Sequence, residues 1–222
     1  MIFTAGFGTR MGALCATRPK PLIKVGGKPL IDHALGIAKG AGIARIAANL
    51  HYLPQMLEQH LSPKNVLLSH EHPGILDTGG GLRQALPLLG PGPVFSLNPD
   101  AIWKGENPLT MLAHAWNPDR MDALLLLIPP TNALGHKGPG DFHLQADQTL
   151  LRGPGMVYSG AQIIKTDLLH TFPKGPFSLN LVWSRMIENR RLSGVAYGGK
   201  WCDVGHPAGI TMAEAMLEEQ NV

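Results

Sequence analysis

From Met1 to Ile128 short apolar runs alternate with amphipathic stretches, and that rhythm limits the fold more than any other feature of the chain. Met1 to Ala5 is an apolar run that enters a loop rich in Gly, Thr and Arg. In Pro29 to Ala41 the apolar residues Leu30, Ala34, Leu35, Ile37, Ala38 and Ala41 recur at helical spacing, with Pro29 in the first turn. Ile43 to Asn49 reads as a strand, Leu53 to His60 as a helix and Asn65 to Ser69 as a strand. A second cycle follows: a glycine-led helix at Gly79 to Leu89, a strand at Val94 to Leu97, a helix at Leu109 to Ala115 and a strand at Ala123 to Ile128. Strands alternating with helices of about ten residues predict an α/β fold, a Rossmann-like and mostly parallel sheet flanked by helices in three α/β/α layers.

After Thr131 the texture changes. Phe142 to Leu151 reads as a hairpin turning near Ala146-Asp147, Gly155 to Ile164 as a strand, and Leu179 to Arg190 as a helix. Gly194 to Lys200, a strand or loop, leads into Trp201-Cys202-Asp203-Val204-Gly205, and Pro207 to Glu219 closes the chain as a helix. No polar linker interrupts the sequence, so a single domain over residues 1–222 is expected, with the second half adding a small substrate-binding lid.

Composition narrows the class. With 27 glycines and 19 prolines in 222 residues the chain is no helical bundle or coiled coil, and the glycines lack the three-residue period of collagen. Hydrophobic residues at 44% and charged residues at only 16% argue for a packed core and against disorder. The net charge of +3 is dispersed, which favours small anionic ligands and offers no face for nucleic acid. The longest apolar run, Ala123 to Pro130, is too short to cross a membrane, and no basic segment followed by a long apolar stretch marks a signal peptide. Cys15 and Cys202 have neither CxxC nor zinc-site spacing, so free thiols in the cytoplasm are expected.

Five segments carry chemistry. Thr4-Ala5-Gly6-Phe7-Gly8-Thr9-Arg10-Met11-Gly12 follows the first strand, where open α/β sheets collect ligands and glycines let backbone N–H groups approach phosphate. It has neither the dinucleotide fingerprint nor the Gly-Lys-Ser/Thr of a P-loop, so it predicts another kind of phosphate cradle, with Arg10 as a multidentate fork. In Arg18-Pro19-Lys20-Pro21-Leu22 the prolines hold Lys20 extended, and two converging cations suit a triphosphate. Asp100 and Asp203 each follow an apolar run, as do carboxylates that hold Mg²⁺ beside phosphates. The glycines of Asp77-Thr78-Gly79-Gly80-Gly81-Leu82 would let a base or ribose lie against backbone. Taken singly, each has a plainer alternative: a turn, a stiff surface loop, a helix cap. The ten histidines show no HExxH pattern, His70-Glu71-His72 reads as a solvated loop, and Ser159 lacks a G-x-S-x-G setting.

Together these segments, with Asn98-Pro99-Asp100 and Trp201 to Gly205, closely resemble the sugar-1-phosphate nucleotidyltransferases, the NDP-sugar pyrophosphorylases, in the correct order along essentially the whole chain. Asn49-Leu50-His51-Tyr52-Leu53 and the triple glycine pull the resemblance toward the short bacterial branch that uridylylates N-acetylmuramate α-1-phosphate. Guanylyltransferases acting on mannose 1-phosphate and uridylyltransferases acting on glucose 1-phosphate share the form. A catalytically silent nucleotide-sensing subunit is a further alternative, opposed by the presence of all four charged residues.

The resemblance implies the nucleotide-diphospho-sugar transferase fold, with residues 1–130 mainly binding nucleotide and 131–222 mainly binding sugar and closing the site. It implies that Ala5, Gly6, Gly8 and Thr9 surround the phosphates and that Arg10 and Lys20 are catalytic. Asn49, Thr78, Gly79 and Gly80 would meet the base or ribose, Tyr158, Ser159 and Gly160 would line the sugar pocket, and Asp100 and Asp203 would hold Mg²⁺. The implied partners are a nucleoside triphosphate, UTP favoured, and a sugar 1-phosphate, bound by a monomer or small homo-oligomer. Thr4, Phe7, Gly12-Ala13, Pro99 and His206 depart from the family pattern, and the first strand opens at Met1, two or three residues short of that pattern.

Overall fold

The computed structural model describes residues 1–219, so the last three residues of the expected 1–222 domain lie outside it. The first half runs β1 (Ile2–Phe3), β2 (Lys24–Val25), β3 (Lys28–Pro29), α1 (Leu30–Gly40), β4 (Ile46–Leu50), α2 (Pro54–Leu61), β5 (Val66–His70) and α3 (Asp77–Leu89). It continues through β6 (Val94–Leu97), β7 (Ala101–Lys104), α4 (Pro108–Ala115) and β8 (Ala123–Ile128). The second half has β9 (Ala133–Leu134), β10 (Phe142–Leu144), β11 (Leu150–Arg152), β12 (Val157–Ile164), α5 (Leu179–Glu188), β13 (Leu192–Ala196), β14 (Lys200–Asp203) and α6 (Pro207–Glu218).

Seven strands form one sheet in the order β13-β8-β12-β6-β1-β4-β5. All neighbours are parallel except β12, which runs against both β6 and β8. Its first residues, Val157 and Tyr158, therefore lie opposite Ile128 and Leu127 at the carboxyl end of β8.

The layers follow from side-chain alternation. In the fully buried β8, Leu124, Leu126 and Ile128 join a core with residues of α1, α2 and α4, whereas Ala123, Leu125 and Leu127 join a second core with residues of α3 and α5. A strand buried on both faces needs no polar alternation, which is why ALLLLI reads as a continuous apolar run. Outside these layers, α6 packs on β14 and on β2, and encloses a third cluster that contains both cysteines, Cys15 and Cys202, each buried and unpaired.

The elements depart from the sequence expectations at their edges. β4 begins at Ile46 rather than Ile43, because Gly42, at φ +73°, turns the chain out of α1 and the Ile43 amide closes on the Ala38 carbonyl at 3.0 Å. Ile43 thus caps a helix. At the end of α5 the left-handed Arg190, at φ +54°, stops the helix two residues short of the expected end. β7 has no counterpart in the sequence expectations: it follows β6 after a three-residue turn and pairs with β14 and, through it, β9 in a small second sheet. The Gly194 to Lys200 segment resolves into the end of β13 and a turn into β14, and the predicted hairpin forms as β10 and β11. Among the described residues no helix is long and apolar enough to cross a membrane.

Candidate active site

A cavity of about 300 Å³ opens at the carboxyl ends of β1, β4 and β6, lined by the loop from Thr4 to Arg10, by Lys20, Asn49 and Thr78, and by Asn98 to Asp100 with Gly205. Gly6 leaves open space where a Cβ would project. Gly8 is required twice over: its φ is +65°, and a Cβ there would stand 2.7 Å from the Cys15 sulfur and 3.0 Å from Lys20 Cβ. That close approach sets the loop against Lys20.

Asp100 and Asp203, so distant in sequence, are made neighbours by register. In the antiparallel pair of β7 and β14, Asp203 stands opposite Ala101, and the Val204 amide donates to the Asp100 carbonyl at 2.8 Å. Lys20 Nζ donates to Asp100 Oδ2 at 2.6 Å. Burial pushes the Asp203 carboxyl above the usual carboxylate range and the negative charge of Asp100 adds to the rise, while Lys20, Arg10 and His206 oppose it. A Cβ on Gly205 would lie 2.8 Å from both Asp203 carboxylate oxygens and 3.1 Å from an Arg10 guanidinium nitrogen, so only glycine lets these groups share the space. Arg10, Lys20 and Asp100 therefore line one wall, with the Asp203 carboxylate directly behind Gly205.

The opposite wall is a hydrogen-bonded frame. The Thr4 amide donates to Asn49 Oδ1 at 2.8 Å and the Thr4 hydroxyl to the Asn49 carbonyl. Asn49 Nδ2 donates to Glu71 Oε1 at 2.7 Å, and the Leu76 amide donates to Glu71 Oε2 at the same distance. Glu71 is fully buried, which corrects the solvated-loop reading of His70-Glu71-His72. Its two oxygens tie β4 to the segment that carries Asp77 and Thr78 into the cavity. Gly79 and Gly80 do not face the cavity, and both their amides donate to the Phe177 carbonyl, at 2.9 and 3.0 Å. A Cβ on Gly79 would come 2.9 Å from that oxygen, so the start of α3 packs directly on the chain before α5.

A second cavity of about 290 Å³ shares Phe3, Asp77, Thr78 and Asn98 with the first. Tyr158 and Trp183 meet there edge to face at 4.8 Å, and Phe142, Asp141, Arg152 and Asn180 are among the other lining residues. Burial raises the Tyr158 phenol above its ordinary value, so the ring stays neutral. Ser159 and Gly160 stand behind this surface. The Ser159 hydroxyl donates to the Leu126 carbonyl at 2.7 Å. Gly160, at φ +84°, lies where the β12–β8 pairing shifts and where a Cβ would strike Asn98 at 2.8 Å. Sequence reasoning did not single out Glu71, Asp141, Arg152 or Trp183 for this site, since none belongs to a spaced motif.

The family model of the MobA-like NTP transferase domain matches residues 1–133. The chain is 40% identical to an N-acetylmuramate alpha-1-phosphate uridylyltransferase of Caulobacter vibrioides, over 99% of this chain and 96% of that protein. A protein of the same name from Neisseria meningitidis serogroup B is 33% identical, over 97% of this chain and 96% of its own length. The crystal structure of HddC from Yersinia pseudotuberculosis complexed with GMP-PN superposes with a TM-score of 0.78 at 18% identity, covering 98% of both chains, a likeness of fold.

Proposed function

From the fact that this chain belongs to the MobA-like NTP transferase domain family, we propose that it joins UTP to N-acetylmuramate α-1-phosphate, giving the UDP-sugar and pyrophosphate. The observation that carries this reading is the convergence of Arg10, Lys20, Asp100 and Asp203 behind a glycine loop at the ends of parallel strands. A phosphate oxygen of the sugar 1-phosphate attacks the α-phosphorus. The new O–P bond forms as the bond to the β-phosphate bridging oxygen breaks, and pyrophosphate leaves with that electron pair. The attacking oxygen is already anionic, so the reaction asks for alignment and charge relief rather than a general base.

Ala5, Gly6, Gly8 and Thr9 surround the triphosphate with backbone, Arg10 holds its distal phosphates, and Lys20 leaves Asp100 to meet the phosphate under attack. Asn49 positions Thr4 and the Thr78 segment toward the base and ribose, while Gly79 and Gly80 set the approach of α3. Tyr158 faces the sugar, and Ser159 and Gly160 shape the strand that presents it.

Asp100 and Asp203 fit Mg²⁺: they are brought together by the pairing of β7 with β14, and two hard-oxygen ligands suffice when phosphates supply further oxygens. Among the described residues no group of three or more His, Cys, Asp and Glu side chains could hold a metal alone. When bound, Mg²⁺ would neutralise phosphate charge. Residues 1–130 then act mainly on nucleotide and residues 131–222 mainly on sugar, in a single catalytic domain that works in the cytoplasm.

A matrix of UTP, GTP, CTP and dTTP against muramyl, mannose and glucose 1-phosphates, read as released pyrophosphate with and without Mg²⁺, tests the proposal. The largest kcat/KM is expected for UTP with N-acetylmuramate α-1-phosphate and Mg²⁺. Equal or greater turnover of another pair reassigns the substrates, and no release with any pair overturns the reading.

A further inference from the structure

We propose that Arg152 determines acceptor specificity by reading a carboxylate carried on the sugar away from its 1-phosphate. The inference deepens the reading above and rests on transfer to a sugar 1-phosphate. The two cavities share Thr78 and Asn98, so a sugar whose phosphate reaches the Lys20 and Asp100 wall extends its far side into the aromatic cavity. Arg152, at the end of β11, stands on that far wall. Its guanidinium lies 5.0 Å from the Phe142 ring centroid and 5.9 Å from that of Trp183. Asn180 fixes the fork from the other side, taking one N–H from each terminal nitrogen, on its side-chain oxygen at 2.9 Å and its carbonyl at 3.1 Å.

Arg152 is an exposed residue that lines the second cavity, and the charge of Asp141 acts on it without forming an ion pair. None of the ion pairs among the described residues includes Arg152. The acidic groups of the same cavity are already engaged: Asp141 accepts the Tyr158 amide at 2.8 Å, and Asp77 accepts the Thr78 amide at 2.5 Å. Their free lone pairs suit sugar hydroxyl and amide donors. A planar, pre-oriented, charged fork on an aromatic shelf suits a carboxylate, which it can bind through two parallel N–H bonds. N-acetylmuramate carries such a group on its lactyl ether, and N-acetylglucosamine is the same ring without it.

The test measures kcat and KM of the full-length wild type, Arg152→Gln and Arg152→Lys with N-acetylmuramate 1-phosphate and with N-acetylglucosamine 1-phosphate, at saturating UTP. The wild type is expected to prefer the carboxylate sugar. Arg152→Gln should collapse that preference about 10²-fold, chiefly through KM, as losing a charged hydrogen-bond partner does. Arg152→Lys, which keeps the charge and the fold but not the fork, should restore part of it. Equal losses on both sugars, or a wild type indifferent to the carboxylate, would overturn the role of Arg152 while leaving nucleotidyl transfer standing. A wild type that releases pyrophosphate with no sugar 1-phosphate fails at the earlier reading, and this one falls with it.

Discussion

The two cavities meet along Thr78 and Asn98 yet are built by opposite means. The first stands at the ends of parallel strands and is made of backbone, glycines and the charged groups Arg10, Lys20 and Asp100, with Asp203 at the end of β14 behind them. The second is walled by aromatic and long polar side chains from the antiparallel β12, the β10–β11 hairpin and α5. Triphosphates differ little from one nucleotide to another, so a site for them needs closely approached N–H groups and fixed charge. Sugars differ in shape and substituents, and telling them apart takes side chains that can vary.

Removing a charge from the first cavity should expose this contrast most strongly. Lys20→Ala, or Asp100→Ala, is expected to lower kcat by about 10²-fold or more, equivalent to roughly 3 kcal/mol, with the melting temperature nearly unchanged. A variant that unfolds instead would mean that the Lys20–Asp100 pair is structural, and the contrast would break.

The frame behind that cavity should behave in the reverse way. Glu71→Ala strips the buried Asn49 side-chain amide and the part-buried Leu76 amide of their acceptor, and urea unfolding should show a loss of about 2–3 kcal/mol. A loss of activity at unchanged stability would move Glu71 from framing to chemistry. Gly79→Ala should cost about 2 kcal/mol by forcing α3 off Phe177, and a neutral result would show that the junction beside the second cavity is loose.

The smallest effect is also the most diagnostic. Because Asp203 holds its proton more tightly in the folded chain than the ordinary 3.8, its contribution to stability is greatest below that pH and is lost as pH rises through the raised value. Asp203→Asn should therefore melt slightly higher than the wild type at pH 7, with the difference closing toward pH 4, while turnover falls. A variant that melts lower at pH 7 would mean that Arg10 and Lys20 outweigh burial and Asp100.

How far the sequence discloses this molecule depends on the same division. The parallel half was legible because crossovers demand helices, and helices and buried strands leave different spacings, as in Leu30 to Ala38 and Ala123 to Ile128. The charged wall was legible because glycine and proline mark its loops. What stayed hidden depends on pairing. The direction of β12 is not written in GMVYSGAQII, and the short β7, which carries Asp100 to Asp203, resembles any apolar turn. Arg152 and Trp183 meet only through the hairpin's fold onto α5. Glu71 between two histidines looks solvated until the Asn49 side chain arrives from another strand.

The reversed direction of β12 has an evolutionary and practical consequence. The chain leaves the sheet at Ile128 and re-enters it at Val157, neighbouring positions on the rim where ligands gather. Between them β9 pairs with β14, and Phe142 and Leu150 of the β10–β11 hairpin enter the second core, so only the intervening loops can be lengthened or exchanged without disturbing the framework. A graft of residues 129–156 would have to carry the β9–β14 pairing beside Asp203 with it, so the topology invites exchange of loops rather than of the whole segment.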